Sequence, residues 1–194
     1  MDLTLYYAPS SRAGRVRWLL EELEVPHTLA RVDMKTKAHD AGFAAVSPLG
    51  KVPVLVVDGT TMLESTAMLV WLADRFADRG LAPALDAPAR VPYLQWHAYV
   101  PITIEPPLLD LYKPLDDDAK AKTRERTLEA LKVLADAFAD GREYLLGAFS
   151  AVDCAAGQVT GWARGAGVLD GFPALAEYGR RIAARPAYKR SRAD

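Results

Sequence analysis

The hydrophobic spacing of this chain changes character once, and that break constrains the fold more than any other feature. Over the first 79 residues the apolar period switches between two and about 3.6. After the stretch 80–92 (GLAPALDAPARVP), with three prolines and no period, only the helical spacing survives. Residues 2–7 alternate, with Leu3, Leu5 and Tyr7 on one face of a strand. Residues 12–24 place Val16, Leu19, Leu20 and Leu23 on one helical stripe. A short strand over 28–33 follows. An apolar strand at 52–58 ends on Asp58-Gly59, a hairpin turn signal, and residues 60–64 pair back across it. Met68, Leu69, Leu72 and Phe76 mark a helix over 66–77. The order read from the residues is β-α-β, a loop, then β-β-α. Beyond the linker, helices are predicted from about 90 (broken at Pro101 and Pro106-Pro107), over 117–140, 153–165 and 173–185. The second of these carries Leu128, Leu131, Leu134, Ala135 and Phe138 as its core stripe, with Asp116 to Asp118 at its positive end. The expectation is an α/β domain over 1–79, a linker over 80–92 and an all-helical domain over 93–194.

Charge and cysteine usage remove several classes of function. With 24 basic and 25 acidic residues the net charge is −1, so no global field draws in nucleic acid or an anionic membrane. Six Lys/Arg between 180 and 192 are expected as a solvated last turn and tail. The single Cys154 excludes an internal disulfide, a Cys-rich zinc site and a C-x-x-C redox pair, and fits a reducing compartment. The start MDLTLYY has no signal-peptide pattern, and the longest aliphatic run, Val52 to Val57, is far short of a membrane span. A cytoplasmic location is expected. Gly165-x-Gly167 has Asp170 where a dinucleotide loop needs glycine, and Gly50-Lys51 is followed by Val52, so neither is a phosphate cradle. His27, His39 and His97 are isolated from one another and from the cysteine, and no metal site is expected.

Four local features belong together, three with a chemical reading and one structural. Pro9-Ser10-Ser11 separates the first strand from the first helix, where Ser11 serves either as a helix cap or as a hydroxyl at the positive helix end. Val52-Pro53 opens an apolar strand. A proline there starts the strand, and a cis bond would turn the Val52 backbone outward to pair with an extended peptide. Glu64-Ser65 sits before the next helix, as a cap and surface acid or as a carboxylate-and-ammonium site for an amino-acid head group. Ser150-x-x-Asp153 reads as a structural capping box.

Together these residues resemble the glutathione transferase family. The segments that carry the likeness are Ser11-Arg12-Ala13 leading into Arg15–Leu23, Ser47-Pro48-Leu49-Gly50-Lys51-Val52-Pro53-Val54-Leu55, and Leu63-Glu64-Ser65-Thr66-Ala67. The box at 150–153 and Arg185-Pro186-Ala187-Tyr188 agree. The resemblance covers the whole chain. It implies a thioredoxin-like N-terminal domain (β-α-β-α-β-β-α), an all-helical C-terminal domain, a cis Val52–Pro53 bond and a homodimer with its site in the interdomain cleft. Glutathione would be the co-substrate, with no metal. Val52 would pair with its cysteinyl part, Glu64 and Ser65 would hold its γ-glutamyl head, and Lys51 and His39 would meet its glycyl carboxylate. The catalytic hydroxyl would be Ser11 by its S-R-A context, with Ser10 as neighbour and Tyr6 as the tyrosine-type alternative. Trp96, Tyr99 and Tyr112 would wall a hydrophobic electrophile or belong to the core. The implied activity is conjugation of the glutathione thiolate, as in detoxification. A glutathione-dependent peroxidase, disulfide reductase or isomerase on the same scaffold, and a non-catalytic interaction module, are the alternatives.

Overall fold

A computed structural model describes residues 1–35 and 41–193. The chain forms two compact units, Met1–Arg79 with Pro186–Asp194, and Gly80–Arg185.

The first unit is built on four strands: β1 (Leu3–Tyr7), β2 (Thr28–Arg31), β3 (Val54–Val57) and β4 (Thr60–Met62). They lie in the order β2-β1-β3-β4. β1 and β2 are parallel, whereas β3 runs antiparallel to both β1 and β4. The β3–β4 hairpin turns through Asp58 (φ 47°) and Gly59 (φ 81°), both left-handed as the Asp-Gly pair predicts. Strand alternation puts Leu3, Leu5 and Tyr7 on the face covered by α1 (Ala13–Leu23). α1 buries Val16, Trp18, Leu19, Leu20 and Leu23, and packs on α3 (Ser65–Arg75) through the latter's Met68, Leu69 and Leu72. The opposite face buries Val32, Phe43 and Val54 together with Tyr6 and Val46. Phe43 comes from α2 (Ala41–Val46), a six-residue helix too short for its period to be read from sequence. The unit therefore has the thioredoxin-like order β-α-β-α-β-β-α that the resemblance implies.

The second unit is helical: α4 (Arg90–Tyr99), a π-helical segment (Val100–Ile104), α5 (Glu105–Asp110), α6 (Asp117–Asp136), α7 (Ala151–Gly165) and α8 (Pro173–Ala184). Pro101 brings no N–H to the ladder, and the break expected there is this π segment, one wide turn rather than a gap. Pro106 and Pro107 lie in the first turn of α5, where a missing N–H costs nothing. Asp116 caps α6 by accepting from the Ala119 N–H at 2.8 Å. The box at the start of α7 is complete: the Asp153 carboxylate accepts from the Ser150 N–H (2.9 Å) and hydroxyl (3.2 Å). Among the described residues no helix is long and apolar enough to cross a membrane.

The last segment departs from the expectation. Residues 186–193 belong to the first unit rather than to the helical one, and the tail is docked rather than solvated. α9 (Pro186–Arg190) packs on α1. Tyr188 meets the Trp18 ring edge-on at 5.0 Å, the Arg190 guanidinium reaches Glu21 at 2.8 Å, and Arg17 donates to the Ala193 carbonyl at 2.9 Å. These contacts span about 170 positions, beyond the reach of any local pattern.

Candidate active site

The sheet register assembles the candidate residues. Tyr6 pairs with Val54 and Leu55 pairs with Met62. Carrying both registers one or two residues onward brings the turn after β1 beside Val52–Pro53, and Pro53 beside Glu64. The Pro9–Ser11 turn, the Val52–Pro53 peptide and the Glu64–Ser65 junction thus share one end of the sheet. That is the end where ligands gather in open α/β sheets.

Each piece is held by local chemistry. Ser47-Pro48-Leu49-Gly50 forms a turn closed by the Gly50 N–H on the Ser47 carbonyl (3.0 Å), with Gly50 left-handed at φ 59°. The buried Ser47 hydroxyl donates to the Lys51 carbonyl at 2.9 Å and accepts from the Lys51 N–H at 3.0 Å. That double clamp fixes the backbone just ahead of Val52 and leaves the Lys51 side chain exposed. The Val52–Pro53 bond is cis, as the resemblance implies. Glu64 sits at φ 67°, ψ 104°, a left-handed conformation costly for a residue with a Cβ. Its carbonyl accepts from the Met68 N–H, and the buried Ser65 begins α3. Sequence reasoning gave no warning of the strain at Glu64 or of the Ser47 clamp.

At the β1–α1 turn, the Ser11 hydroxyl donates to the Ala8 carbonyl at 2.7 Å and accepts from the Ala13 N–H at 3.2 Å. It serves the first helical N–H from one position ahead of Arg12, which occupies the cap position. Ser10 is exposed and left-handed at φ 57°. It lines a cavity of about 170 Å³ together with Tyr7, Pro9, Arg17, Ser191 and Arg192. The Arg17 guanidinium lies 5.1 Å from the centre of the Tyr7 ring. Tyr6 points to the other face of the sheet, where its ring lies 5.6 Å from that of Phe43, so it is not gathered with Ser10 and Ser11. His39 lies outside the described residues.

In the helical unit, Trp96 and Tyr99 pack edge to face at 5.4 Å. Trp96 is buried, and the Tyr99 hydroxyl donates to the Ala130 carbonyl at 3.3 Å, its pKa raised by burial. Tyr112 is not grouped with them: its hydroxyl donates to the Trp162 carbonyl on α7 at 2.6 Å. Asp153 is fully buried, and burial outweighs its four donors to push the carboxyl up to about 6. The cavity lined by Arg17, Ser191 and Arg192 was also missed by sequence reading, because its wall joins α1 to a tail 176 positions away.

Comparison with known proteins agrees with the fold. Residues 9–75 match the family described as glutathione S-transferase, N-terminal domain, and residues 117–181 match glutathione S-transferase, C-terminal domain. The chain is 32% identical over 195 residues to glutathione S-transferase GST-4.5 of Xanthomonas campestris pv. campestris, covering 94% of this chain and 93% of that protein. It superimposes on a glutathione transferase of Methylococcus capsulatus with a TM-score of 0.90 at 28% identity, covering 98% and 97% of the two chains. A sphingomonad glutathione S-transferase solved in complex with glutathione gives a TM-score of 0.88 at 30% identity, covering 97% and 96%.

Proposed function

The chain belongs to the glutathione S-transferase family and is a transferase enzyme, and on that premise we propose that it conjugates the glutathione thiolate to hydrophobic electrophiles. The observation that carries this reading is the convergence of three segments, 9–11, 52–53 and 64–65, at one end of the sheet. Glutathione would lie along them as a short added strand, its cysteinyl backbone against Val52. The Glu64 carboxylate suits the γ-glutamyl ammonium. The Ser65 hydroxyl and the first N–H groups of α3 suit the neighbouring carboxylate. Lys51, exposed on its clamped backbone, suits the glycyl carboxylate, and His39 is proposed for the same group.

The sulfur would then face the amino end of α1. A free thiol has a pKa near 8.5 and only the thiolate attacks. Bringing it to about 6.5 requires roughly 2.7 kcal/mol of preferential stabilisation of the anion. The α1 terminus contributes about 0.3–2 kcal/mol and one hydroxyl hydrogen bond to the anion about 1.5–3 kcal/mol. No general base is needed. Ser11 is the assigned donor. Its proton must swing from the Ala8 carbonyl, exchanging a neutral hydrogen bond of about 1 kcal/mol for a stronger charged one. Ser10 is the second reading, supported by its exposure and its place on the cavity wall.

A homodimer is part of the same proposal. Val91, Leu94 and Ile102 stand exposed on one side of α4 and the π segment, and a second copy would cover them. A cytoplasmic location and a role in detoxification accord with the single buried cysteine and a thiol co-substrate. Calorimetric titration with glutathione, followed by turnover of an aryl halide, a hydroperoxide and a mixed disulfide, tests the reading. Binding with aryl-halide turnover supports conjugation. Turnover of only the other two moves the chain to a peroxidase or reductase. Absence of binding at millimolar glutathione leaves a non-catalytic module.

A further inference from the structure

Apart from Ser10, the residues that line this cavity have no part in holding glutathione in the reading above, and its walls are specific. Two arginines line it, and among its described lining residues there is no acid. Arg17 is nine-tenths buried, lies over the Tyr7 ring at 5.1 Å and donates to the Ala193 carbonyl. Arg192 comes from the docked tail and lies over the Tyr188 ring at 5.0 Å. Each guanidinium is laid on an aromatic face, an arrangement that orients its planar fork. Tyr7 and Pro9 add apolar surface. A pocket of about 170 Å³ with one apolar wall and two oriented cations accepts a small planar acid, not a neutral hydrocarbon.

We propose that this cavity binds a carboxylate carried by the electrophile, so that the preferred second substrates are aromatic or short-chain acids. The proposal rests on the glutathione reading, because Ser10 joins the cavity to the turn at which the sulfur would be activated. The carboxylate would be drawn to Arg192 at the mouth, with Arg17 behind it. The electrophilic carbon would then face the thiolate. For an aryl chloride, the thiol proton leaves to solvent on ionisation, the sulfur forms the C–S bond, and the C–Cl electron pair departs as chloride. Glutathione's own carboxylates are assigned elsewhere, to Ser65 and Lys51, so the charge selectivity belongs to the second substrate alone.

The test compares 4-chloro-3-nitrobenzoate with 1-chloro-2,4-dinitrobenzene in the wild type and in Arg192→Gln. Arg192 is exposed and makes no part of the glutathione cradle, so the substitution leaves the fold and glutathione affinity in place. The kcat/KM for the benzoate falls roughly tenfold, the loss of one charge-assisted contact, while that for the dinitro compound changes by less than about twofold. Arg192→Lys restores part of the loss. Equal effects on both substrates, or none on either, overturn the proposal. Should neither compound be turned over, the conjugation reading fails separately, and calorimetric titration of 3-nitrobenzoate reads the cavity directly. Binding weakened in Arg192→Gln upholds the acid site. An absence of binding at millimolar concentration, or binding indifferent to the substitution, removes it.

Discussion

Replacing Glu64 with glycine separates what this residue costs the fold from what it contributes to the site. Glu64 is held at φ 67°, ψ 104° at the start of α3, a conformation costing of order 1–3 kcal/mol for a side chain with a Cβ. Glycine adopts positive φ freely, so Glu64→Gly relieves that strain. Glycine also loses more backbone entropy on folding, about 0.5–1 kcal/mol. The net gain is about 1 kcal/mol, or roughly 2–4 °C in Tm for a chain of this length. The same change removes the carboxylate proposed for the γ-glutamyl ammonium. One charged hydrogen bond is worth about 1.5–3 kcal/mol, so glutathione binds roughly 10- to 100-fold more weakly. Glu64→Gln is the control, since it keeps the strained backbone and loses only the charge. Scanning calorimetry and glutathione titration on the three proteins provide the readout. A lower Tm for Glu64→Gly than for Glu64→Gln refutes the strain assignment. Unchanged glutathione affinity in both variants refutes the role of the carboxylate.

Three further outcomes follow from the geometry. Asp153 has its folded pKa raised from 3.8 to about 6, so its contribution to stability is complete below about pH 4 and is lost as pH rises through 6, by about 3 kcal/mol. Urea midpoints at a series of pH values therefore show the advantage of wild type over Asp153→Asn shrinking from pH 4 to 7; an advantage that grows with pH contradicts the dominance of burial. Ser11→Ala moves the acid limb of the pH–rate profile up by roughly one pH unit and lowers turnover with little change in KM for glutathione, and an unmoved limb transfers the role to Ser10. In Gly165→Ala the new methyl would lie 2.7 Å from the Tyr112 hydroxyl, so that exposed ring must shift off the Trp162 carbonyl; the lost hydrogen bond, about 1 kcal/mol, offsets a helix-propensity gain of about 1 kcal/mol and leaves stability by chemical denaturation nearly unchanged. In a Tyr112→Phe background the same substitution stabilises by about 1 kcal/mol, and an equal effect in both backgrounds refutes the contact.

What could be read from sequence was whatever rests on local physics. β1 alternates cleanly, and its alternation already sets Tyr7 with Leu3 and Leu5 and sends Tyr6 to the other face. The stripe of α1 matches its buried residues, that of α3 does so for Met68, Leu69 and Leu72 while Phe76 falls just past the helix end and stays half-buried, and Asp58-Gly59 requires the two positive φ angles that the hairpin displays. The box at 150–153 is legible because both partners lie within one turn. Three kinds of feature stayed hidden. α2 has one strongly buried side chain, Phe43, and no period to detect. Glu64 adopts a conformation for which its residue type has no preference, imposed by β4 and α3 on either side of it. The tail reads as a run of charge because nothing near it in sequence reveals that Trp18, Glu21 and Arg17 receive it. In the candidate site the segments 9–11, 52–53 and 64–65 share one end of the sheet while Tyr6 faces its other side; the Ser47 clamp spans only four residues but follows no pattern that a sequence displays, and the arginine-lined cavity comes from tertiary contacts.

The proposed chemistry depends on the Pro9–Ser11 turn and the amino end of α1 stabilising the thiolate of bound glutathione. Ultraviolet absorbance of the thiolate, titrated against pH in the enzyme–glutathione complex, measures this without any second substrate. The apparent thiol pKa is expected near 6.5, about two pH units below free glutathione. A bound thiol that titrates near 8.5, with saturation verified independently, contradicts it.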